Sequence, residues 1–205
     1  MKPPLPRLHA ITDERVARRT DLDEITRELA GAGGGLLALH ARGRNLSGLE
    51  HYELAVRLAA YPPTRLFVNA RADVALAAGA EGVQLHAASL APGDARRLNP
   101  HWWIGVSVHD LEQAQAAHGV GADYLLVGPV FATATHPDRA PLGVEGLAEI
   151  VRLDLPVIAI GGVMRERIAE LAAAGVYGVA AIRALWDAAD PAEAARRMVQ
   201  ELDIV

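Results

Sequence analysis

Short apolar runs alternate with longer amphipathic stretches along the whole chain. The short runs are apolar on both faces, which is typical of strands buried in a parallel sheet. In the stretches between them, apolar residues recur at helical spacing, as at Leu22, Ile25 and Leu29. Asp110 as an N-cap and Pro191 at a first helical position predict the starts of two of these helices. The pattern therefore predicts eight βα units, with strands over residues 8–12, 36–41, 66–68, 82–85, 103–108, 124–130, 157–160 and 178–182.

Eight such units favour closure into a (β/α)8 TIM barrel, because an open doubly wound sheet would usually need fewer. The chain has 205 residues, of which 51% are hydrophobic and 22% charged. This is enough apolar material for one complete core. We expect one α/β barrel domain over residues 1–205, with no linker and no second domain.

The bulk properties limit the partners. The formal net charge is −5 and no run of Lys or Arg is present, so we expect no nucleic-acid partner. No apolar stretch reaches the about 18 residues that a membrane span needs. The chain contains no cysteine, which excludes disulfides, thiolate metal sites and cysteine nucleophiles. We expect a cytoplasmic protein, and its scattered apolar surface residues would permit a homo-oligomer.

Polar residues gather where the predicted strands end. In a parallel barrel these ends meet at one mouth, so residues distant in sequence can form one site. Cationic and neutral hydrogen-bonding groups outnumber carboxylates there, which favours an anionic small-molecule ligand. The candidate substrate-binding residues are His40, Arg42, Arg44, Asn69, Ser107, Thr133 and Thr135.

A phosphate site is predicted after strands seven and eight, the usual place for one in these barrels. Gly161 and Gly162 open a helix, and consecutive glycines let backbone N–H groups approach an anion. The backbone around Arg183 and Ala184 follows the next strand. The alternative is that the glycine pair only permits a tight turn.

His109 is the candidate for proton transfer. Imidazole titrates nearest to neutral pH, and the start of a helix disfavours its cationic form. The alternative is a histidine that caps the helix or faces water.

Arg42 and Arg44 alternate with His40, so the three share one face of an extended segment. A carboxylate or phosphate on the ligand would explain them, although ordinary surface ion pairs would as well. Thr133 and Thr135 lie in a long loop that is either a lid or a connector.

A metal site formed by His40, His86 and His109 is a rival interpretation, since all three follow strands. No closely spaced histidine pair or supporting carboxylate accompanies them. We therefore expect no metal and no other cofactor.

The strand-end motifs resemble those of the thiamine phosphate synthase superfamily over nearly the whole chain. The resemblance is carried by the Arg42 and Arg44 pair and by residues 69–73, 104–109, 122–124, 128–133 and 159–162. It implies a TIM barrel that binds phosphorylated heterocycles.

One branch of that superfamily is the synthase, which joins a pyrimidine diphosphate to a thiazole phosphate and uses magnesium to neutralise the leaving pyrophosphate. Its pattern has one acidic residue after the strand-three Asn and another after strand four. Here these positions are Ala70 and Ser89, which cannot replace the oxygen ligands of Mg²⁺.

The other branch is the TenI-like thiazole tautomerase, which residues 8–13, His40 and residues 107–109 resemble more closely. Residues 83–85 are also similar to that branch. This resemblance implies metal-independent proton transfer that aromatises a carboxythiazole phosphate, with His109 as the acid/base group and Gly161-Gly162 in the phosphate cradle. We therefore expect a tautomerase-like isomerase of thiamine biosynthesis. Thiamine phosphate synthase and a non-catalytic regulator that binds a phosphorylated ligand stay open as alternatives.

Overall fold

Eight parallel strands close into a barrel in the computed structural model, which describes residues 2–133 and 139–203. Each strand pairs with its neighbours in sequence, and β8 pairs with β1. The predicted (β/α)8 barrel is confirmed. The strands are β1 Leu8–Ile11, β2 Leu37–Ala41, β3 Arg65–Asn69, β4 Gly82–Leu85, β5 Trp103–Val108, β6 Tyr124–Val127, β7 Val157–Ile160 and β8 Gly178–Ala181.

Helices cover the outside of the barrel. Two of the shortest, which follow β1 and β8, have four residues each and were not expected from the periodicity, because so short a helix leaves no repeat to detect. Within the described ranges the helices are α1 Glu14–Ala17, α2 Leu22–Gly33, α3 Gly48–Ala59, α4 Ala72–Ala77, α5 Pro92–Leu98, α6 Leu111–Gly119, α7 Gly143–Val151, α8 Ile168–Ala173, α9 Arg183–Trp186 and α10 Pro191–Asp203. None of these helices is both long and apolar enough to cross a membrane.

Local sequence signals set several helix starts. The side chain of Asp110 accepts a hydrogen bond of 2.8 Å from the backbone N–H of Gln113 at the start of α6. Pro191 is the first residue of α10, where its missing N–H costs nothing. Both starts follow the predicted positions.

Strand β6 is shorter than predicted. It ends at Val127 rather than at residue 130, because Pro129 has no N–H to continue the ladder. Pairing with the next strand resumes after it, since the N–H of Val130 donates to the carbonyl of Ile160 at 2.9 Å. The segment after β6 therefore stays close to β7.

Two apolar regions hold the fold together. The larger lies between the strands and the helices, and the smaller fills the inside of the barrel with Ile11, Phe67, Tyr124, Leu126 and Ile158 among others. Three buried polar residues, His9, His40 and Gln84, also lie on the strands.

Small residues make room for the aromatic rings inside the barrel. A Cβ on Gly82 would lie 2.3 Å from Cε1 of Phe67, and a Cβ on Gly105 would lie 2.2 Å from Cζ of Tyr124. Real Cβ atoms do not approach other atoms so closely. The two glycines are therefore part of the packing.

We predict that Gly105→Ala destabilises the protein by at least about 1–3 kcal/mol, the usual cost of overpacking a core. Gly119→Ala is the matched control, because a Cβ there meets nothing within 4 Å. Since Gly119 ends helix α6, alanine should leave the stability unchanged or raise it slightly. Urea unfolding of both variants checks this, and equal stabilities would contradict the packing of the Tyr124 ring against Gly105.

Candidate functional site

The carboxyl ends of β2 and β3 bring His40 and Asn69 together. Nδ1 of His40 lies 3.0 Å from Oδ1 of Asn69, as the sequence suggested for residues at one mouth. On its other side, Nε2 of His40 lies 2.8 Å from Nδ1 of His9. The imidazole of His40 is fully buried, so it reaches the mouth through Asn69 rather than directly.

Sequence reasoning missed His9. It treated residues 8–12 as a uniform apolar strand, whereas the pleat turns His9 and Ile11 to the inside of the barrel. The signal that could have found it is an ionisable residue in an otherwise apolar strand, which needs a buried partner.

Ser107, at the end of β5, is also brought to the mouth side. Its hydroxyl oxygen accepts a 3.0 Å hydrogen bond from Nε2 of Gln84, another residue that the sequence analysis did not single out. Oε1 of Gln84 and the hydroxyl of Tyr124 have no hydrogen-bond partner in the described structure. A Cβ on Gly105 would lie 2.4 Å from Oε1 of Gln84 and 2.5 Å from the hydroxyl oxygen of Tyr124, so both atoms lie close to this glycine.

His109 is half-buried beyond the end of β5, and its Nδ1 contacts the carbonyl oxygen of Gly128. Because a carbonyl only accepts, Nδ1 carries the hydrogen in this contact. In the neutral ring, Nε2 is then the nitrogen with a free lone pair. The backbone N–H of His109 donates to Gln113 at 3.2 Å, so the residue also takes part in the start of α6.

Gly161 and Gly162 form the turn after β7 in left-handed conformations, with φ of 96° and 62°. The prediction that they open a helix is wrong, because left-handed residues do not start a right-handed helix and α8 begins only at Ile168. A Cβ on Gly161 would lie 2.6 Å from Cα of Pro129, and one on Gly162 would lie 2.6 Å from the carbonyl oxygen of Ala132. Backbone geometry and close packing therefore both require glycine here.

This turn and His109 share one neighbour, the segment after β6. The segment begins at Gly128, which contacts His109, and the N–H of Phe131 donates to the carbonyl of Gly161 at 3.0 Å. The structure thus brings the predicted phosphate turn and the imidazole to adjacent loops. Arg183 and Ala184 begin α9 after the next strand of the barrel, with Arg183 exposed and Ala184 half-buried.

The segment after β2 carries Arg42 and Arg44 and is held by β1 and α1. The N–H of Arg42 donates to Oγ1 of Thr12 at 2.8 Å, and a carboxylate oxygen of Glu14 accepts from the N–H groups of Arg44 and Asn45. Burial, and then the charge of Arg44, lower the pKa of Arg42. The carboxylates of Glu14 and Asp13 act on this pKa in the opposite direction, so the segment combines two cations with two carboxylates.

The three-histidine metal site is not assembled. His40 is engaged by His9 and Asn69, whereas His86 is exposed and its Nδ1 accepts from the N–H of Ala88 at 3.2 Å. The described residues contain no group of three or more His, Cys, Asp or Glu that could hold a metal.

Ala70 occupies a strained turn at the end of β3. Its φ is 65°, a left-handed value that alanine rarely adopts, and the N–H of Arg71 donates to the carbonyl of Asn69 across it at 2.8 Å. Ser89 accepts a 3.1 Å hydrogen bond from the N–H of His86. Neither residue supplies a carboxylate, so the residues present do not fit the magnesium that the synthase resemblance implies.

Of the two loop threonines, Thr133 is half-buried at the edge of the described segment. Thr135 lies outside the described residues, so the interpretation of this loop as a lid stays a prediction.

Residues 8–185 match the family model described as thiamine monophosphate synthase. The chain belongs to this family. It is 36% identical over 203 residues to the thiamine-phosphate synthase of Pyrococcus abyssi, covering 96% of both chains. It is 39% identical over 197 residues to that of Methanoculleus marisnigri, covering 93% of this chain and 92% of the relative.

A solved structure is similar over the same extent. The thiamine phosphate pyrophosphorylase from Pyrococcus furiosus superposes with a TM-score of 0.83 at 33% identity, covering 97% of this chain and 96% of that one. The family resemblance inferred from the strand-end motifs is confirmed.

The tautomerase interpretation is wrong. The curated relatives are thiamine-phosphate synthases by name, the solved structure is a thiamine phosphate pyrophosphorylase by name, and none of them is named as an isomerase. Two departures from the synthase pattern, at Ala70 and Ser89, do not outweigh similarity to a synthase over 96% of the chain. The coarser expectation, an enzyme of thiamine biosynthesis, is supported by the same comparisons.

We predict that Gly162→Ala weakens the binding of inorganic phosphate about tenfold or more. The left-handed backbone costs alanine about 1–2 kcal/mol, and the Cβ must displace Ala132 or turn the backbone amides away. The control is Gly93→Ala, where a Cβ meets nothing within 4 Å. Calorimetric titration measures the phosphate affinity of both variants. Unchanged affinity in a folded Gly162→Ala protein would show that phosphate does not bind at this turn.

Proposed function

We propose that this chain catalyses the thiamine-phosphate synthase reaction, in which a pyrimidine diphosphate and a thiazole phosphate are joined and pyrophosphate leaves. The observation that carries the proposal is similarity to curated synthases over 96% of the chain, on the same closed barrel. The mouth supports it with two cationic or amide-rich regions, as two phosphorylated substrates require.

Each region suits one substrate. The turn at Gly161-Gly162 and the start of α9 at Arg183-Ala184 would bind the phosphate of the thiazole, since glycine amides can approach an anion closely. Arg42 and Arg44 would bind the diphosphate. Their mutual repulsion, which helps to lower the pKa of Arg42, is relieved when a multiply charged anion arrives.

The neutral groups between these regions would orient the rings. Asn69 ends β3 and Ser107 lies near the end of β5, with β4 between these two strands. Asn69 contacts the buried side chain of His40, and Ser107 contacts that of Gln84. His109 would contact substrate through Nε2, because its Nδ1 is engaged by Gly128. We assign no step to a metal ion, since the side chains at 70 and 89 do not fit one.

Incubation with both substrates tests the proposal. We expect enzyme-dependent formation of thiamine phosphate with one pyrophosphate released per product, in a buffer containing Mg²⁺. Absence of product at every substrate concentration would end the proposal.

The role of the two arginines is tested in the same assay. Exchanging both Arg42 and Arg44 for Gln should reduce turnover strongly and raise KM for the diphosphate more than for the thiazole phosphate.

The missing carboxylates give a second prediction. In Ala70→Asp/Ser89→Asp, the ratio of the rate with Mg²⁺ to the rate with a chelator should exceed that of the unaltered chain, because two oxygen ligands are restored. Asp also tolerates the left-handed turn at position 70 better than Ala. The control is Ala70→Asp/Ala87→Asp, which adds the same charge at the exposed position 87 instead of the half-buried position 89. Equal ratios in the two double variants would contradict the assignment of these positions to the metal.

A non-catalytic regulator is the second candidate, favoured by the same non-acidic residues Ala70 and Ser89. It predicts that the protein binds both phosphorylated substrates, as measured by calorimetry, without forming product. Homo-oligomerisation also stays a prediction.

A further inference from the structure

A chain of hydrogen bonds crosses the inside of the barrel from its closed end to its mouth. It begins at the carbonyl oxygen of Pro6, just before β1, which lies 2.9 Å from Nε2 of His9. Nδ1 of His9 lies 2.8 Å from Nε2 of His40, and Nδ1 of His40 lies 3.0 Å from the side-chain amide of Asn69. We call these four residues the histidine relay.

The strand register builds the relay as a staircase. Ile11, two residues after His9, pairs with His40, and His40 pairs with Phe67, two residues before Asn69. Each step to the next strand therefore rises by two residues, which keeps all three side chains on the inner face.

The two imidazoles are isolated from water. Both are fully buried, and the ring of Phe67 stacks on His40 at 5.0 Å and meets His9 edge-on at 5.7 Å. A buried polar group without its hydrogen bond costs about 1–3 kcal/mol, so each nitrogen must find the right kind of partner.

The chemistry of Pro6 sets the direction of every bond. Its carbonyl can only accept, so Nε2 of His9 carries the hydrogen. In a neutral ring, Nδ1 of His9 is then an acceptor, and Nε2 of His40 must donate to it. Nδ1 of His40 is left as an acceptor, which requires a donor from Asn69.

Neutral rings are favoured because, among the described residues, the recorded hydrogen-bond partners of both are a carbonyl, an amide and each other, and none is a carboxylate. Burial, and then the proximity of His40, lower the pKa of His9 well below its usual value. Burial lowers the pKa of His40 to about 4, although the contact with Asn69 acts in the opposite direction.

We propose that His9 is a positioning residue: it fixes the tautomer of His40, which holds the amide nitrogen of Asn69 inward and turns its oxygen towards the mouth. In the structure Oδ1 is the atom next to His40, and a 180° rotation of the planar amide exchanges it with Nδ2 without moving other atoms. The mouth then offers a hydrogen-bond acceptor at the end of β3. Its ligand is an N–H or amino group on a heteroaromatic ring.

The opposite arrangement, with the oxygen of Asn69 inward, needs a hydrogen on Nδ1 of His40. Either one of the two rings is then a buried cation without a carboxylate, or His9 turns a bare Nε2 towards the carbonyl of Pro6. Both arrangements leave an uncompensated buried group.

The tautomers can be measured directly in the ligand-free, full-length protein. Long-range ¹H–¹⁵N correlation spectra, with signals assigned by their loss in His9→Phe, should identify both buried histidines as neutral rings with hydrogen on Nε2. A hydrogen on Nδ1 of His40, alone or in an imidazolium, would overturn the proposal. This measurement does not depend on any catalytic activity.

The role of His9 is tested by removing its acceptor nitrogen. In His9→Phe, His40 loses the partner of its Nε2–H, and a mixture with the Nδ1–H tautomer should appear. If the chain is a synthase, KM for the pyrimidine diphosphate should rise about tenfold with a smaller change in kcat. His9→Asn should restore both readouts, because its Oδ1 can take the position of the missing Nδ1.

Tyr124→Phe is the matched control. The Tyr124 ring is also buried and lies 5.8 Å from His9, but its hydroxyl has no hydrogen-bond partner and takes no part in the relay. This variant should leave the His40 spectrum and KM unchanged. If His9→Phe also leaves the His40 spectrum and KM unchanged, the relay does not act on Asn69. If the unaltered chain makes no product, the proposed function fails, but the spectra still decide the inference about the relay.

Discussion

Closure of eight short strands around a narrow interior is the constraint on which the rest of the structure depends. Closure leaves space inside for little besides side chains, so any polar group there must be satisfied by another one. His9, His40 and Asn69 meet this condition by forming one connected series that ends at the mouth. The same closure places glycine opposite aromatic rings, as at Gly105 and Tyr124.

The mouth combines rigid backbone with cationic side chains. The turn at Gly161-Gly162 is held against the segment after β6, and the arginines after β2 are held by Glu14 and Thr12. A phosphorylated ligand, as proposed, would meet positions that the fold has already ordered, which would lower the entropy lost on binding. The chain belongs to the synthase family, but it has Ala70 and Ser89 where the synthase pattern has acidic residues. Its mouth therefore lacks two carboxylates of that pattern.

The fold and the outline of the site could be predicted because both depend on local patterns. Apolar runs on both faces identified the strands, and Asp110 and Pro191 marked helix starts that the structure confirms. The end of β6 was predicted wrongly because apolar character continues past Pro129, where the hydrogen-bond ladder cannot. The catalytic branch was also predicted wrongly, because Ala70 and Ser89 alone do not distinguish the branches, whereas similarity to a curated synthase extends over 96% of the chain.

The sequence by itself determined the number of strands, their order and which residues follow each of them, since these depend on the spacing of residues along the chain. Only the tertiary structure decided which of these residues touch. It joined His9 to His40 across 31 positions and His109 to Gly128 across 19, while leaving His86 in solvent. The physical reason is that barrel register and stagger, which set these contacts, arise from the pairing of all eight strands at once and leave no signal in any one of them.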